Sequence, residues 1–395
     1  MSDFRMPALG ADMEAGTLVQ WLKRPGDTVA RGDIIAVVDT DKGAIEIEVF
    51  EDGVLDRTVV EPGQQVPVGT VLAVIRSTSE VGGSAASGPS GSPSSAATLS
   101  STTRTRAEPE PAAGVQGPGS GPPVPEVRPR VSPLARRRAA ALGIDVTSVT
   151  GTGAHGAVTR EDIERAATAH TGADRMVGMR KAIAAAMSRA KRDIPHYYLS
   201  ATVDLHRALG WLRVENASRP PAERLLPAAL LLKAVALALR DVPDLNGHWV
   251  DQQFRQAANI HVGVAIALRG GGLVAPAIHD TDALDLAALM RRLQDLVQRA
   301  RAGSLRSSEL TDATVTVTNL GDQGAESTFG IIYPPQVALV GFGRIVERPW
   351  VVSGQIVSRS LVTVTLSADH RVTDGHRGGT FLAALDRRLQ APEGL

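Results

Sequence analysis

The stretch PGDTVARGDIIAVV, Pro25 to Val38, returns 37 residues later as PGQQVPVGTVLAVI, Pro62 to Ile75. Each copy alternates short runs rich in β-branched residues with Pro-Gly and Gly turns, a pattern typical of short strands joined by tight turns. Self-similarity at one fixed offset indicates two related structural units packed together. We therefore predict that residues 1–76 form an all-β domain, a flattened barrel of two similar halves.

The segment between the two copies, DTDKGAIEIEV, is predicted to form a hairpin with Asp41, Lys42 and Gly43 at its tip. A lone lysine on a turn is ordinarily just solvated, but Lys42 stands at the centre of the repeat. In this arrangement the sequence resembles the lipoyl and biotinyl carrier domains. Biotin carriers have methionines beside the lysine, whereas lipoyl domains usually read Asp-Lys-Ala. The resemblance therefore implies lipoate on Lys42, attached by a lipoyl ligase.

The composition of the whole chain excludes several classes of function. Among 395 residues, 42 are basic, 42 are acidic and only 3% are aromatic, a balance that gives no sign of nucleic-acid binding. Cysteine is absent, so thiolate metal sites and disulfides are excluded, and redox sulfur would have to come from a cofactor. Because neither a targeting peptide nor a membrane-spanning stretch is evident, we expect a cytoplasmic protein that binds no nucleic acid, membrane or metal.

Two segments have the composition of linkers. Residues 77–128 consist mainly of Ser, Gly, Pro, Ala and Thr with few large apolar side chains, too few to offset the entropy lost on ordering. We predict a flexible linker there and a second, short linker at residues 169–174.

Residues 129–168, between the linkers, predict two short helices around a loop. Ser132 and Pro133 suit the start of the first helix, and Thr159 suits the N-cap of the second. The run GTGAHGAVTREDI, residues 151–163, resembles the peripheral subunit-binding domain of acyltransferases from 2-oxo acid dehydrogenase complexes.

That resemblance implies a basic surface that binds the 2-oxo acid decarboxylase or the dihydrolipoamide dehydrogenase. Arg136 stands at the family's first arginine position and Arg137 follows it. Ala140 and Ala157 occupy two positions that are usually basic, so the partner interface is expected to differ in detail. The competing interpretation is a run of arginines that is merely solvated.

The last segment, residues 175–395, alternates amphipathic helical patterns with β-rich runs, which predicts an α/β domain. The predicted helices are residues 180–192, 225–240 and 284–302, and the predicted strands are residues 197–203, 261–268, 314–318, 337–342 and 361–366.

The last predicted strand leads into SADHRVTDG, Ser367 to Gly375. A histidine at a strand end can act as a general base near neutral pH, although one histidine among nine is more often structural. HRVTDG matches the His-x-x-x-Asp-Gly signature of the dihydrolipoamide acyltransferases and of chloramphenicol acetyltransferase. Four further runs resemble the same family in order: residues 180–205, LVAPAI (273–278), TVTVTNLG (314–321) and IIYPPQVALVGFG (331–343). The resemblance thus covers all three domains and implies a chloramphenicol-acetyltransferase-like fold for the last.

The resemblance implies acyl transfer from S-acyl-dihydrolipoyl-lysine to coenzyme A, in the core component of a 2-oxo acid dehydrogenase complex. His370 would be the base that deprotonates coenzyme A, and Thr318, just before Asn-Leu-Gly, would donate to the oxyanion. Asp374, also in the catalytic motif, is expected to be structural and to pair with a basic residue such as Arg180 or Arg371. The family forms trimers in which His370 would face Thr318 of a neighbour, so we expect a homotrimer or a multiple of it.

The acyl group and two alternative functions remain open at this point. IPHYYLS, residues 194–200, resembles the pyruvate branch and favours acetyl, while succinyl, branched-chain and acetoin-derived acyl groups stay possible. A noncatalytic lipoyl-bearing scaffold would need neither His370 nor Thr318. A stand-alone coenzyme A acyltransferase would need neither Lys42 nor the subunit-binding segment.

Overall fold

The structure, a computed structural model, describes residues 1–8, 13, 15–40, 43–76, 131–142, 144–268, 272–321 and 324–395. The chain divides into two compact units, one comprising Met1–Ser79 with Gly172–Leu395 and the other Glu80–Thr171. Lys42 and the linker predicted at residues 77–128 lie outside the described residues.

The N-terminal repeat forms short strands separated by the predicted Pro-Gly turns. These are β1 (Ser2–Arg5), β2 (Ala15–Trp21), β3 (Thr28–Val29), β4 (Ile34–Thr40), β5 (Gly43–Glu48), β6 (Gly53–Thr58), β7 (Gln65–Pro67) and β8 (Val71–Arg76).

These strands make two sheets around one core, in the orders β1-β8-β6-β3 and β5-β4-β2-β7. Leu18 and Ile35 of one sheet share the core with Leu55 and Leu72 of the other. The expectation of a barrel needs correction, because no described strand of one sheet pairs with a strand of the other to close them into a barrel. The domain is a flattened pair of sheets.

The predicted hairpin around Lys42 is present in its two flanking strands. Strands β4 and β5 are antiparallel, and Thr40 pairs with Gly43 at the end of the ladder. Only Asp41 and Lys42 separate those paired residues in the sequence.

The subunit-binding segment contains α1 (Pro133–Leu142) and the start of α2 (Arg160–Asp193). The hydroxyl of Ser132 accepts a hydrogen bond from the Ala135 N–H at 3.1 Å, and the hydroxyl of Thr159 accepts one from the Asp162 N–H at 3.3 Å, so both predicted caps are present. The backbone of α2 is helical through residues 169–174, where a short linker was predicted. That segment has no proline, and its one glycine costs a helix only about 1 kcal/mol.

The loop before α2 is organised by one buried carboxylate. Asp162 accepts hydrogen bonds from the backbone N–H groups of Thr152 at 2.8 Å and Thr159 at 2.9 Å, and from the Thr152 hydroxyl at 2.7 Å. The Thr152 and Thr159 amides hold the pKa of Asp162 well below its usual range. A side chain at Gly151 would collide with the backbone at Gly156. The glycines and Asp162 of the GTG…EDI run are therefore structural.

Among its described residues, the C-terminal domain has the end of α2, five further α-helices and twelve strands. The helices are the end of α2, α3 (His206–Ala217), α4 (Pro227–Asp241), α5 (Leu286–Ala302), α6 (Ser307–Thr311) and α7 (Gly375–Gln390). The strands are β9 (His196–Asp204), β10 (Gly247–Val250), β11 (Gln253–Gln256), β12 (Val262–Val264), β13 (Ile266–Ala267), β14 (Leu273–Val274), β15 (Ala277–Ile278), β16 (Leu305–Arg306), β17 (Val315–Asn319), β18 (Ala338–Phe342), β19 (Val346–Val352) and β20 (Gln355–Asp369).

The main sheet of this domain has the order β15-β12-β17-β18-β20-β19, and β9 pairs with the far half of β20. Strands β12, β17 and β18 are parallel, whereas β20 runs antiparallel to β18. Helices α4, α5 and α7 share one core with sheet residues such as Val315, Val317 and Val340. Among the described residues, no helix is long and apolar enough to cross a membrane.

Candidate functional site

His370 lies at a sharp turn immediately after the longest strand. Strand β20 ends at Asp369, whose carbonyl accepts hydrogen bonds from the N–H groups of Val372 at 3.0 Å and Thr373 at 3.1 Å. The backbone N–H of His370 donates to the Pro195 carbonyl at 2.9 Å. This turn fixes the backbone of His370 and leaves its side chain exposed in the single chain.

An aromatic neighbour packs against the His370 ring. The ring of Tyr197 meets it edge to face, with the centroids 5.2 Å apart. The Tyr197 hydroxyl is hydrogen-bonded to the Thr373 hydroxyl at 2.9 Å, and burial raises the pKa of Tyr197. Tyr197 is thereby held in place beside His370, a role that the sequence did not reveal.

An ion pair between a buried aspartate and a partly exposed arginine links the residues on either side of His370. The Asp369 side chain is fully buried and accepts hydrogen bonds from Arg371, from Nε at 2.9 Å and Nη2 at 2.6 Å. The Arg371 guanidinium also lies 4.5 Å from the ring centroid of Trp249, on strand β10, a cation–π contact. The sequence predicted an ion pair between Asp374 and a basic residue such as Arg371. In the structure Arg371 pairs with Asp369 instead. In the sequence, Asp369 and Arg371 lie two residues apart in the Asp-His-Arg run, which would allow this pair to be predicted.

Asp374 caps the helix that follows. Its carboxylate accepts a hydrogen bond from the Arg377 N–H at 2.9 Å at the start of α7. That N–H is the main reason that the pKa of Asp374 is lowered. Asp374 therefore caps α7 through the Arg377 N–H, and the ion-pair partner of Arg371 is Asp369.

Thr318 lies near the end of β17, two strands away from β20. Val317, its neighbour, packs into the core under the helices, and side chains alternate along a strand. Thr318 therefore points to the opposite face of the sheet, where it is half-buried.

The sheet register separates Thr318 from His370 within one chain. Thr318 lies opposite Gly341 of β18, and Gly341 lies opposite Thr365 of β20. His370 is five residues beyond Thr365. With a rise of about 3.3 Å per residue and strands about 4.8 Å apart, the two Cα atoms are roughly 20 Å apart. A single chain does not bring these two residues together.

His196 has both ring nitrogens engaged in structural hydrogen bonds. Nδ1 lies 2.9 Å from the Ile194 carbonyl, and Nε2 accepts the Ile332 N–H at 3.1 Å. These partners require a neutral ring with its proton on Nδ1. Burial is the main reason that the pKa of His196 is lowered. The fold therefore uses both ring nitrogens of His196.

The His196 ring should titrate below the ordinary value of about 6.5. Because its pKa is depressed in the folded state, the unfolded chain binds more protons as the pH falls below about 6.5. The ring's contribution to stability should therefore be present above that pH and lost as the pH falls through the lowered pKa. Long-range ¹H–¹⁵N spectra of the imidazoles would measure this. A proton on Nε2 at pH 7, or titration above 6.5, would contradict the assignment.

The predicted carrier lysine and partner-binding arginines belong to the two N-terminal domains. Arg136 and Arg137 are exposed on α1, while Arg138 lies 3.5 Å from Glu164. Lys42 lies outside the described residues, but the β4–β5 ladder on either side of it is complete. A covalently attached cofactor agrees with the described flanking strands, because the ladder runs to Thr40 and Gly43 and only two residues separate them in the sequence.

The architecture described above is that of a multidomain acyltransferase with its own carrier domain. Residues 169–395 match the family described as 2-oxoacid dehydrogenases acyltransferase (catalytic domain), residues 2–75 match Biotin-requiring enzyme, and residues 129–164 match the e3 binding domain. The chain belongs to the acyltransferases of the 2-oxo acid dehydrogenase complexes.

Curated relatives are similar in sequence to this chain along almost its whole length. The dihydrolipoyllysine-residue acetyltransferase component of the pyruvate dehydrogenase complex of Rhizobium meliloti (strain 1021) is 32% identical, over 99% of this chain and 98% of that one. Its counterpart in Rickettsia conorii (strain ATCC VR-613 / Malish 7) is 32% identical, over 98% and 97%.

Solved structures match the C-terminal domain. The probable dihydrolipoamide acetyltransferase of Listeria monocytogenes 4b F2365 is 33% identical with a TM-score of 0.52, covering 54% of this chain and 92% of that one. The Azotobacter vinelandii dihydrolipoamide acetyltransferase, studied for a serine, a histidine and an asparagine in its catalytic mechanism, is 25% identical with a TM-score of 0.52, over 55% and 90%.

These findings confirm the function class and the cofactor predicted from the sequence. The chain is an enzyme that transfers an acyl group from a dihydrolipoyl group to coenzyme A, with lipoate as its covalent cofactor. Neither a noncatalytic scaffold nor a stand-alone acyltransferase agrees with the three matched domains. The e3 binding domain marks the chain as one that binds peripheral subunits of its complex.

Proposed function

We propose that the transferred group is acetyl and that the parent 2-oxo acid is pyruvate. The full-length relatives are named as acetyltransferase components of pyruvate dehydrogenase complexes. The stretch IPHYYLS supports the same choice, and its Pro195 and Tyr197 both contact His370.

We propose that the site of acyl transfer is shared between two chains, with His370 from one and Thr318 from its neighbour. The sheet register carries this proposal, since it separates the two residues by roughly 20 Å in one chain. Thr318 lies on the face of the sheet opposite the helices, and the His370 side chain is exposed in the single chain. A related catalytic domain, 26% identical with a TM-score of 0.52, forms the cubic core of a pyruvate dehydrogenase complex. We propose a homotrimer, or a multiple of it, for this chain.

His370 acts as the general base in this proposal. A thiol with a pKa near 8.5 is largely protonated at pH 7, so its proton must be removed as it attacks. The His370 ring accepts the proton of the coenzyme A thiol and later returns it to the departing dihydrolipoyl sulfur. Tyr197 and the Pro195 carbonyl hold the ring and the backbone in position. The lipoyl group, when bound, supplies the thioester that carries the acyl group.

Thr318 and Asp374 complete the site in different ways. Attack on the thioester places negative charge on the acyl oxygen, and the Thr318 hydroxyl donates a hydrogen bond to it. Asp374 stays outside the chemistry and fixes the start of α7, directly after the His370 turn.

Carrier and partner contacts complete the assignment. We propose that a lipoyl ligase modifies Lys42, and that exposed Arg136 and Arg137 bind an acidic surface of the decarboxylase or dihydrolipoamide dehydrogenase. Neither arginine has an ion-pair partner among the described residues. A cytoplasmic location stays a prediction from the sequence.

An acyl panel tests the assignment to acetyl. The full-length protein should transfer acetyl from acetyl-CoA to free dihydrolipoamide with a higher kcat/KM than isobutyryl or succinyl. A pocket fitted to a small group loses roughly 10–200-fold for added methylenes. A higher kcat/KM with succinyl-CoA or isobutyryl-CoA would assign the chain to a different 2-oxo acid.

A further inference from the structure

The lipoyl domain contacts the acyltransferase domain at a place outside the proposed acyl-transfer site. Strand β5, at the edge of its sheet, pairs in parallel with the two-residue strand β16 of the acyltransferase domain. Leu305 lies opposite Ile45, and Arg306 lies opposite Glu46. The catalytic domain thus adds a short strand to the sheet that carries the Lys42 hairpin.

Polar contacts from Glu48 extend this pairing. The Glu48 carboxylate accepts a hydrogen bond from the Ser308 N–H at 3.3 Å and lies 3.8 Å from the Arg306 guanidinium. The Glu48 N–H donates to the Ser307 hydroxyl at 3.3 Å. The contact therefore uses both backbone and side-chain groups.

The burial of Glu48 shows that this surface is covered. Ile47 and Val49, on either side of it, belong to the lipoyl-domain core, so alternation directs Glu48 away from that core. Its side chain is nevertheless only 6% exposed, and Ser307 is 1% exposed. A carboxylate on the outer face of an edge strand becomes buried only when another domain covers it.

We propose that β16, Ser307 and Ser308 form a docking surface for the lipoyl domain of the same chain. The surface holds the edge strand next to Lys42 by strand addition, a recurring way of binding an exposed sheet edge. The contact is weak, because only two residue pairs are matched across the strands and the side-chain hydrogen bonds are at the long end of the usual range. A carrier domain needs such a contact, because it must leave to reach the other enzymes of its complex.

Hydrogen exchange in the full-length protein tests this proposal. Arg306→Glu places a third carboxylate beside Glu46 and Glu48, so exchange in peptides covering residues 43–49 should become about tenfold faster. Adding Glu48→Arg to that variant restores the charge pair and should restore slow exchange. Arg213→Glu, the same change at an exposed arginine on α3, should have no effect. Peptides covering Leu18 and Ile35 report whether the lipoyl domain stays folded.

Two results would overturn the docking surface: unchanged exchange at residues 43–49 in Arg306→Glu, or faster exchange that Glu48→Arg does not reverse. The proposed catalytic residues are tested separately. Acyl transfer from acetyl-CoA to free dihydrolipoamide should keep its wild-type rate in Arg306→Glu, because this assay does not use the lipoyl domain.

Discussion

His370→Ala should lower the rate of acyl transfer by roughly 10²–10⁴-fold, the range typical of general-base catalysis. Without the imidazole, the coenzyme A thiol would have to lose its proton to water while it attacks. The rate is measured with the full-length protein, acetyl-CoA and free dihydrolipoamide, so that it reports the chemical site alone. The trimer should survive, because the side chain is exposed and its loss opens no cavity in the core.

His376→Ala is the matched control, since this exposed histidine lies six residues further on in α7. It should keep nearly the wild-type rate. A fully active His370→Ala would remove the proposed base. Equal losses in both variants would mean that the effect comes from disturbing α7.

Lys42→Arg should abolish the overall reaction of the assembled complex and leave transfer to free dihydrolipoamide unchanged. The guanidinium keeps the positive charge, but it cannot form the amide that attaches lipoate. Intact mass after expression with a lipoyl ligase should therefore lack the lipoyl increment. The free-substrate assay does not use the carrier lysine, which is why the two activities should separate.

Lys23→Arg is the control for this change, because Lys23 lies in the same domain and pairs with Asp33 at 3.0 Å. It should keep both the lipoyl increment and the overall reaction. A lipoyl increment on Lys42→Arg would place the cofactor on another lysine, and a biotin increment on the wild type would reject lipoate.

Local sequence patterns predicted the strands of the repeat and three helices of the C-terminal domain, but not α3, α6 or α7. The Pro-Gly turns of the repeat predicted where the strands around Lys42 begin and end. The apolar stretch beginning at Leu225 predicted α4. Strand β20 is much longer than the predicted residues 361–366, because its first half pairs with β19. Strand β19 contains Arg348, Pro349 and Trp350, which conceal its strand pattern.

Short motifs predicted the candidate residues, and Thr318 came from a separate run, TVTVTNLG. The HRVTDG run identifies His370 and Asp374 together. Trp249, which packs on Arg371, is more than a hundred residues earlier in the sequence, and pairings of this kind depend on the folded topology. The sheet register adds the distance of roughly 20 Å between Thr318 and His370 within one chain.

Subunit mixing tests the shared site most directly. His370→Ala and Thr318→Ala should each be inactive alone, the latter by roughly 10²–10³-fold. After exchange of subunits at equal amounts, His370 of a Thr318→Ala chain meets Thr318 of a His370→Ala neighbour at about one site in four of a cyclic trimer. The account predicts that about a quarter of the wild-type rate returns. Mixed trimers that are proven by mass and yet stay inactive would contradict it.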